Sequence, residues 1–194
     1  MKGCRPLSDA ETVKLLRSFT GKYSSRDRAL FLLGIKSGFR ISELLSLTLG
    51  DIVQYGCLVD RVTVNRRNMK KKTEGRTVLL HPEAKKELAV WISILQAEGW
   101  KSPETWVFRS RRGGDKPISR IQAWRILQRA YRENNMTGKL GTHSMRKTFA
   151  NRIYDKLGQD LARTQRALGH KNINSTVSYL SFREEEIDEA ILAS

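Results

Sequence analysis

The sequence predicts an α+β fold that is mainly helical and carries one small antiparallel β-hairpin. Apolar residues recur with helical spacing along most of the chain, and a region after residue 57 is rich in β-branched residues instead. The 194 residues are enough to bury the core of one domain of ordinary size. We therefore expect a single domain over residues 1–194, with a tail helix over residues 181–194.

Three helices are predicted before the hairpin. Residues 7–19, LSDAETVKLLRSF, form a helix with Ser8 near its N-cap. Residues 26–38, RDRALFLLGIKSG, are apolar on most sides, which indicates a central helix, and Gly38 is expected to end it. A short third helix follows directly in RISELLSL, residues 40–47.

The hairpin and the later helices complete the pattern. Two β-branched segments, CLVDRVTVNRR at 57–67 and RTVLLHP at 76–82, flank the polar turn NMKKKTEG, and they predict two antiparallel strands. Helical spacing then returns in residues 83–99, 119–134, 142–158, 159–169 and 174–180. The chain closes on an acidic tail, REEEIDEAILAS.

The charge of the chain indicates a polyanionic partner. Lys and Arg number 36 and Asp and Glu number 20, so the formal net charge is +16. Each phosphate that a cation neutralises releases condensed counterions, which favours nucleic acid. An anionic membrane is the weaker alternative, because the sequence has neither a basic amphipathic helix nor an apolar run of about 18 residues. We expect no membrane association.

The N-terminal segment and the cysteines indicate a cytoplasmic protein. MKGCRPLSDAET has no apolar stretch of the kind that a signal peptide contains. Cys4 and Cys57 lack metal-type spacing and are expected to stay reduced. With DNA as its partner, the protein would associate with the nucleoid.

A first candidate site lies in THSMRKTFANRIYD. Met145, Phe149 and Ile153 mark a buried stripe, and His143 and Arg146, three residues apart, share the helix face beside it. The N-terminus of a helix already favours an anion, so a phosphate would fit there. A surface helix that carries a His and an Arg by chance is an equally weighted alternative.

Arg40 strengthens the phosphate hypothesis. It follows KSGF at the bend between two apolar helices, where a charge that served only solvation would be poorly placed. Glu43 is three residues away and could orient the guanidinium. Arg40 and Arg146 could then hold the two non-bridging oxygens of one phosphate and neutralise the charge of phosphoryl transfer. Carboxylates clustered to hold divalent ions have no counterpart in the sequence, so we expect neither a metal nor another cofactor.

A third candidate segment is LGHKNINSTVSYL, with His170 and Tyr179. A helix-turn-helix over ARTQRALGHKNINSTVSYL is an alternative, although NINSTVSYL offers few side chains that read base edges. A tyrosine at the end of an apolar helix is usually a packing residue. Two of the three histidines, two arginines and this tyrosine nevertheless fall in segments that read like one phosphate site, which favours a reactive Tyr179.

These motifs resemble those of the tyrosine recombinase family, also called phage integrases, over nearly the whole chain. SGFRISELLSLTLGDI resembles the first arginine motif of the family and carries Arg40. THSMRKTFA resembles its His-x-x-Arg motif, with His143 and Arg146. LGHKNINSTVSYL resembles its second motif, with His170 and the nucleophile Tyr179.

The hairpin NMKKKTEGRTVLL lies where the family has a catalytic lysine. Lys72 aligns with that lysine, and Lys70 and Lys71 remain alternatives. The resemblance implies the fold of a recombinase catalytic domain. It also implies a metal- and ATP-independent site-specific recombinase that cleaves and rejoins double-stranded DNA through a 3′-phosphotyrosyl intermediate. A type IB topoisomerase and a non-catalytic DNA-binding regulator of the same fold are the alternative functions.

The family assembles on DNA and usually has a further domain. The resemblance implies a homo-oligomer on DNA, a tetramer, in which the tail over 181–194 packs in trans on a neighbour; a solvated tail is the alternative. Family members usually carry an N-terminal core-binding domain, whereas MKGCRPLSDAE resembles the start of the catalytic domain. The chain is therefore expected to be either a fragment or a catalytic domain that stands alone.

Overall fold

The computed structural model describes residues 3–64, 76–111, 114–180 and 191–193. The chain divides into two compact units, Met1–Phe149 and Ala150–Ser194, and each is described by itself. The first unit contains helices α1 to α6 and two small sheets. Helix α7, Thr142–Lys156, begins in the first unit and ends in the second, which also holds α8 and α9.

The helices of the first unit follow the predicted order. Their bounds are α1 Asp9–Ser18, α2 Ser24–Ser37, α3 Ile41–Leu44, α4 Leu49–Ile52, α5 Pro82–Ala97 and α6 Arg120–Glu133. The side chain of Ser8 accepts from the backbone N–H of Glu11, and the Glu11 side chain accepts in turn from Ser8, so a capping box starts α1. Proline occupies the first position of α5, where no backbone N–H is needed.

Helix α2 is the central helix, as its sequence predicts. Every residue from Ala29 to Ile35 is buried, and the helix packs against α5 in the core of the first unit. The helix ends at Ser37, because Gly38 adopts the left-handed conformation with φ 61° and donates its N–H to the carbonyl of Gly34. Phe149 packs against this glycine, 2.2 Å from where a Cβ atom would be.

The predicted hairpin is present in the described residues. Strand β3, Arg61–Val64, pairs antiparallel with β4, Arg76–Leu79, and the hydroxyls of Thr63 and Thr77 face each other at 2.8 Å. The turn between them, residues 65–75, lies outside the described residues. A second two-stranded sheet pairs β1, Val53–Gln54, with β2, Cys57–Leu58.

Two predicted elements were wrong in their extent. The third helix does not run over 40–47, because α3 ends at Leu44. A separate turn of helix, α4, begins after Thr48, and the Asp51 side chain accepts a hydrogen bond from the backbone N–H of Thr48. The strand predicted over 57–67 is interrupted at Asp60, so that its first residues form β2 and pair with a strand that the sequence did not predict. Both breaks are local turns within apolar segments.

The second unit contains the end of α7 and two short helices. Helix α8, Leu161–Leu168, is capped by the side chain of Asp160 and ends at Gly169 in the left-handed conformation. Helix α9, Ile173–Val177, follows with Asn172 as its N-cap residue. Of the predicted tail helix over 181–194, residues 181–190 and 194 lie outside the described residues. The α+β class, mainly helical with small antiparallel sheets, is confirmed.

Candidate active site

One group of predicted site residues lies in the first unit, where α2 gives way to α3. Arg40 is the N-cap residue of α3, and Glu43 accepts from its backbone N–H at 2.6 Å and from its Nη1 at 2.8 Å. The predicted orientation of Arg40 by Glu43 is thus confirmed. The Glu43 side chain is 3 % exposed and that of Arg40 is 45 % exposed, so a buried carboxylate holds a guanidinium that reaches solvent.

Arg146 approaches the same carboxylate from α7. Its side chain is only 2 % exposed, its Nη1 lies 3.9 Å from Oε2 of Glu43, and the same Nη1 donates to the carbonyl of Gly38. The structure therefore brings Arg40 and Arg146, which are far apart in sequence, to opposite oxygens of one carboxylate. Two cations around a single anion leave an excess positive charge that suits a phosphate.

A third arginine, which the sequence did not single out, joins this cluster. Arg76 of β4 donates from Nη2 to the carbonyl of Ser37 at 2.8 Å and from Nη1 to that of Gly38 at 3.2 Å. Burial, with a further contribution from Arg146, lowers the pKa of Arg76 to about 9. No signal in the sequence marks Arg76, because an arginine that opens a β-strand is ordinarily a surface residue.

His143 occupies a different environment from Arg146. It is exposed on the first turn of α7, whereas Arg146 one turn later is among the most deeply buried residues of the first unit. Met145 and Phe149 are buried as predicted, and Ile153 is half-buried. A histidine in this position is open to a ligand that approaches from solvent.

The second unit brings His170 and Tyr179 together. Their ring centroids are 5.1 Å apart, with an angle of 58° between the ring planes. His170 is 8 % exposed, and its Nδ1 lies 3.0 Å from the hydroxyl oxygen of Thr176, which is fully buried. The side-chain amide of Asn151 donates to the carbonyl of Tyr179 at 3.1 Å. The sequence did not single out Thr176 or Asn151. Thr176 contacts the side chain of His170, and Asn151 contacts the backbone of Tyr179.

The remaining predicted site residue, Lys72, lies outside the described residues together with Lys70 and Lys71. Within the described ranges, no group of three or more His, Cys, Asp or Glu side chains is arranged to hold a metal ion. In the same ranges, no helix is both long enough and apolar enough to cross a membrane.

A basic groove of about 1040 Å³ lies elsewhere in the first unit. It is bordered by the segment that joins α1 to α2, by the loop before α6 and by one face of α6 itself. The cations that line it are Lys22, Arg26, Arg111, Lys116, Arg125 and Arg129. Asp27 and Glu133 are the acidic lining residues, and they are paired with Arg26 and Arg129. The described lining residues of the groove thus include six cations and two carboxylates, and the excess positive charge adds to the surface that a polyanion would meet.

Comparison with solved structures identifies the fold. The chain superposes on the crystal structure of XerA recombinase with a TM-score of 0.78 at 20 % identity, over 100 % of this chain and 66 % of that one. It superposes on the XerH site-specific recombinase, bound to palindromic difH substrate in a post-cleavage complex, with a TM-score of 0.74 at 23 % identity, over 96 % and 51 %. The fold is that of a tyrosine recombinase catalytic domain.

Comparison of sequences identifies relatives of different lengths. The chain is 30 % identical over 181 residues to the probable integrase/recombinase YoeC of Bacillus subtilis. The matched region covers 93 % of this chain and 91 % of YoeC. It is 28 % identical over 182 residues to tyrosine recombinase XerC of Caldanaerobacter subterraneus, and there it spans only 48 % of the relative's length. The model of the phage integrase family matches residues 7–186. The chain therefore belongs to the phage integrase family, the tyrosine recombinases.

Proposed function

We propose that this protein is a site-specific DNA recombinase that cleaves and rejoins strands through a covalent link to Tyr179. The observation that carries the proposal is the pairing of Arg40 and Arg146 around the buried Glu43, in a chain of this family. Guanidinium groups that are fixed before the substrate arrives stabilise the charge of phosphoryl transfer without reorganising.

In the proposed reaction, the phenolic oxygen of Tyr179 attacks the scissile phosphorus and forms a 3′-phosphotyrosyl bond. The bond to the 5′-oxygen breaks, and Lys72 gives that oxygen its proton; Lys70 and Lys71 are the alternatives. His143 accepts the phenol proton or positions the phenol, an effect typically about 10²–10⁴-fold. The covalent link keeps the phosphodiester energy, so that attack by a 5′-hydroxyl rejoins the strand without ATP.

The other side chains act on the phosphate itself. Arg40 and Arg146 hold the non-bridging oxygens, and His170 donates one more hydrogen bond to them. The contact of His170 Nδ1 with the hydroxyl of Thr176 supports this role, because it fixes the orientation of the imidazole ring. Metal independence follows from the use of guanidinium groups in place of metal ions, and it stays a prediction that an assay with EDTA tests.

Double-stranded DNA is the proposed substrate, and a tetramer on DNA the proposed assembly. The net charge of +16, the basic groove and the complex of XerH with its difH substrate support the first. Exchange between two duplexes requires several protomers, which supports the second. This chain spans about half the length of XerC, so the single domain over 1–194, trans packing of the tail over 181–194, and the activity of the whole protein stay predictions.

Covalent trapping on a nicked suicide substrate tests the proposal. The parent protein should form a protein–DNA adduct in the presence of EDTA, and Tyr179→Phe should bind the same DNA without an adduct. Tyr55→Phe is the matched control, because Tyr55 is fully exposed in the turn between β1 and β2 and should leave the adduct unchanged.

Each other outcome identifies an alternative. An adduct that persists in Tyr179→Phe means that another residue is the nucleophile. DNA binding by the parent without an adduct indicates a non-catalytic regulator. An adduct accompanied by relaxation of supercoils, with no exchange between two marked sites, indicates an enzyme of the topoisomerase type.

A further inference from the structure

Three guanidinium groups surround the C-terminal end of α2. Arg76 and Arg146 both donate to the carbonyl of Gly38, and Arg76 also donates to that of Ser37. Arg40 is the N-cap residue of the next helix, α3, and its side chain donates a hydrogen bond to Glu43. One peptide carbonyl is thus shared by two guanidinium groups that come from a β-strand and from a helix far away in sequence.

The contacts of Arg76 fix its guanidinium in one orientation. Both Nη atoms point at backbone carbonyls, and its Cζ lies 5.3 Å from the ring centroid of Phe39 and 5.9 Å from that of Phe149. Two cation–π contacts and hydrogen bonds from both Nη atoms leave the planar guanidinium little freedom. Arg76 therefore serves as a rigid support for the peptide against which Arg146 is set.

Burial and the neighbouring arginines disfavour the positive charge of Arg76 when no DNA is bound. Burial is the largest influence that lowers the pKa of Arg76, nearby Arg146 and Arg40 lower it further, and Glu43 acts in the opposite direction. Among the described residues that act on the pKa of Arg76, three guanidinium groups and one carboxylate form a cluster with excess positive charge. A cation in such a place is disfavoured unless an anion joins the cluster. The cluster is therefore better balanced with a phosphate bound than without one.

We propose that Arg76 is a positioning residue of the strand-transfer site. It holds the Gly38 carbonyl and thereby sets the guanidinium of Arg146, and its charge strengthens the field that the scissile phosphate meets, without contact between Arg76 and the phosphate. This inference rests on the proposed function, since it assigns Arg76 to the same reaction.

The test compares Arg76→Gln and Arg76→Lys with Arg61→Gln. Arg61 is a matched control because it is an exposed arginine at the opposite end of the β3–β4 ladder, where it pairs with Leu79. For each variant, the single-turnover rate of adduct formation is measured at saturating protein on the suicide substrate, together with the Kd for the same DNA. The rise in Tm that sodium sulfate gives beyond sodium chloride at equal ionic strength is measured without DNA.

Arg76→Gln should form the adduct about 10- to 100-fold more slowly, a smaller loss than that of a group that touches the reacting atoms. Its Kd should stay close to the parent value, because phosphate contacts elsewhere supply most of the affinity. Arg76→Lys should recover part of the rate, since lysine restores the positive charge but cannot form both hydrogen bonds of the guanidinium. Sulfate should raise the Tm of Arg76→Gln less than it raises the Tm of the parent or of Arg61→Gln. The general salting effect of sulfate is the same in all three proteins, so the difference reports on the cluster.

A parent-like rate per folded molecule in Arg76→Gln would overturn the proposal. If Arg76→Gln does not fold, Arg76→Lys decides: a slower rate at parent affinity supports the proposal, and a parent rate overturns it. If the parent itself forms no adduct, the proposed function fails separately, and the sulfate measurement alone decides on the cluster. Equal sulfate stabilisation in the Arg76 and Arg61 variants would then reject a role of Arg76 toward an anion.

Discussion

The contact of His170 with Thr176 is the residue-scale feature that most directly affects the proposed chemistry. Both side chains are buried, and the Thr176 hydroxyl is the partner of Nδ1 at 3.0 Å. Such a contact selects the tautomer and the orientation of the ring. Without it, the imidazole keeps its place in the core but has an unsatisfied nitrogen.

Thr176→Val is expected to lower the rate of adduct formation on the order of 10-fold, which corresponds to about 1.4 kcal/mol. The substitution keeps the shape of the side chain and removes the hydroxyl, so DNA affinity should change little. Ser175→Ala, on the exposed neighbouring residue, is the control. Equal rates for the parent and Thr176→Val, measured on the suicide substrate, would show that the hydroxyl does not orient His170.

The ion pair between Arg5 and Glu11 predicts a pH dependence of stability. The hydrogen bond from Arg5 is the main cause that lowers the pKa of Glu11 to about 2. Because the folded pKa is below the ordinary value of 4.5, the contribution of Glu11 is complete above about pH 4.5 and is lost as the pH falls toward 2. The pair is near the surface, so its contribution is about 1 kcal/mol at most.

Glu11→Gln keeps the capping geometry of α1 and removes only the charge. Its free energy of unfolding should fall below that of the parent at pH 7, and the difference should shrink between pH 5 and pH 3. Urea denaturation at each pH measures this. Glu133→Gln, which breaks the more exposed pair with Arg129, should have almost no effect at any of these pH values. A difference for Glu11→Gln that stays constant with pH would contradict the assignment.

The contacts of the site were predictable only where they are local in sequence. The hydrogen bond between Arg40 and Glu43 follows from a spacing of three residues at a helix start. The contact of Arg146 with Gly38 joins residues 108 positions apart, and Arg76 reaches the same carbonyl from a strand. Those contacts depend on how α7 and β4 pack around the end of α2, which no local pattern encodes.

At the scale of elements, the end of α2 is the structural centre of the site. Its last carbonyls and Gly38 accept from two arginines, and the bend at Gly38 directs Arg40 toward solvent. The left-handed φ of 61° is one that glycine adopts without strain. The position therefore requires glycine both for its backbone and for the close approach of Phe149.

Gly38→Ala is expected to destabilise the protein strongly. A left-handed alanine costs about 1–2 kcal/mol, and the added Cβ would lie 2.2 Å from the ring of Phe149, which has to move. Gly56→Ala is the matched control, because Gly56 has a φ of 77° but no atom within 4 Å of the added Cβ. Denaturation midpoints in urea should therefore fall much further for Gly38→Ala. Equal shifts would mean that Phe149 adjusts freely.

Long helices and the β3–β4 hairpin were predicted well, whereas α4 and the β1–β2 sheet were not. Residues 26–38 and 83–99 show several turns of apolar periodicity, and α2 and α5 match them within two residues at each end. Helix α4 and the β1–β2 sheet have four and two residues per element, too few to show a period. The turn between β1 and β2 also places Tyr55 at a φ of 51°, which its residue type does not indicate.

At the scale of the whole molecule, charge governs the expected interaction with DNA. The net charge of +16 and the cations around the groove beside α6 should neutralise many phosphates at once. Affinity then depends on the release of counterions and falls steeply as salt is added. In the proposed reaction, Arg40 and Arg146 are expected to affect the rate of strand transfer more than this affinity.

The Kd for duplex DNA should rise by about 10³-fold or more between 50 and 200 mM salt, as expected for six or more phosphate contacts. Titrations by fluorescence anisotropy measure this dependence. Tyr179→Phe should show the same slope as the parent, because its charge is unchanged. A flat response would remove DNA as the main partner of this surface.

The contact between Arg146 and Gly38 has a consequence for gene decay. The guanidinium is buried and donates to the carbonyl of Gly38 at the end of the central helix, so its loss would loosen the core of the first unit. A copy of the gene that had lost the proposed recombinase activity would still be selected to keep this arginine as long as its product had to fold. Retention of Arg146 in a degenerate copy is therefore weak evidence of activity, whereas under the proposed mechanism a change at Tyr179 would show the loss directly.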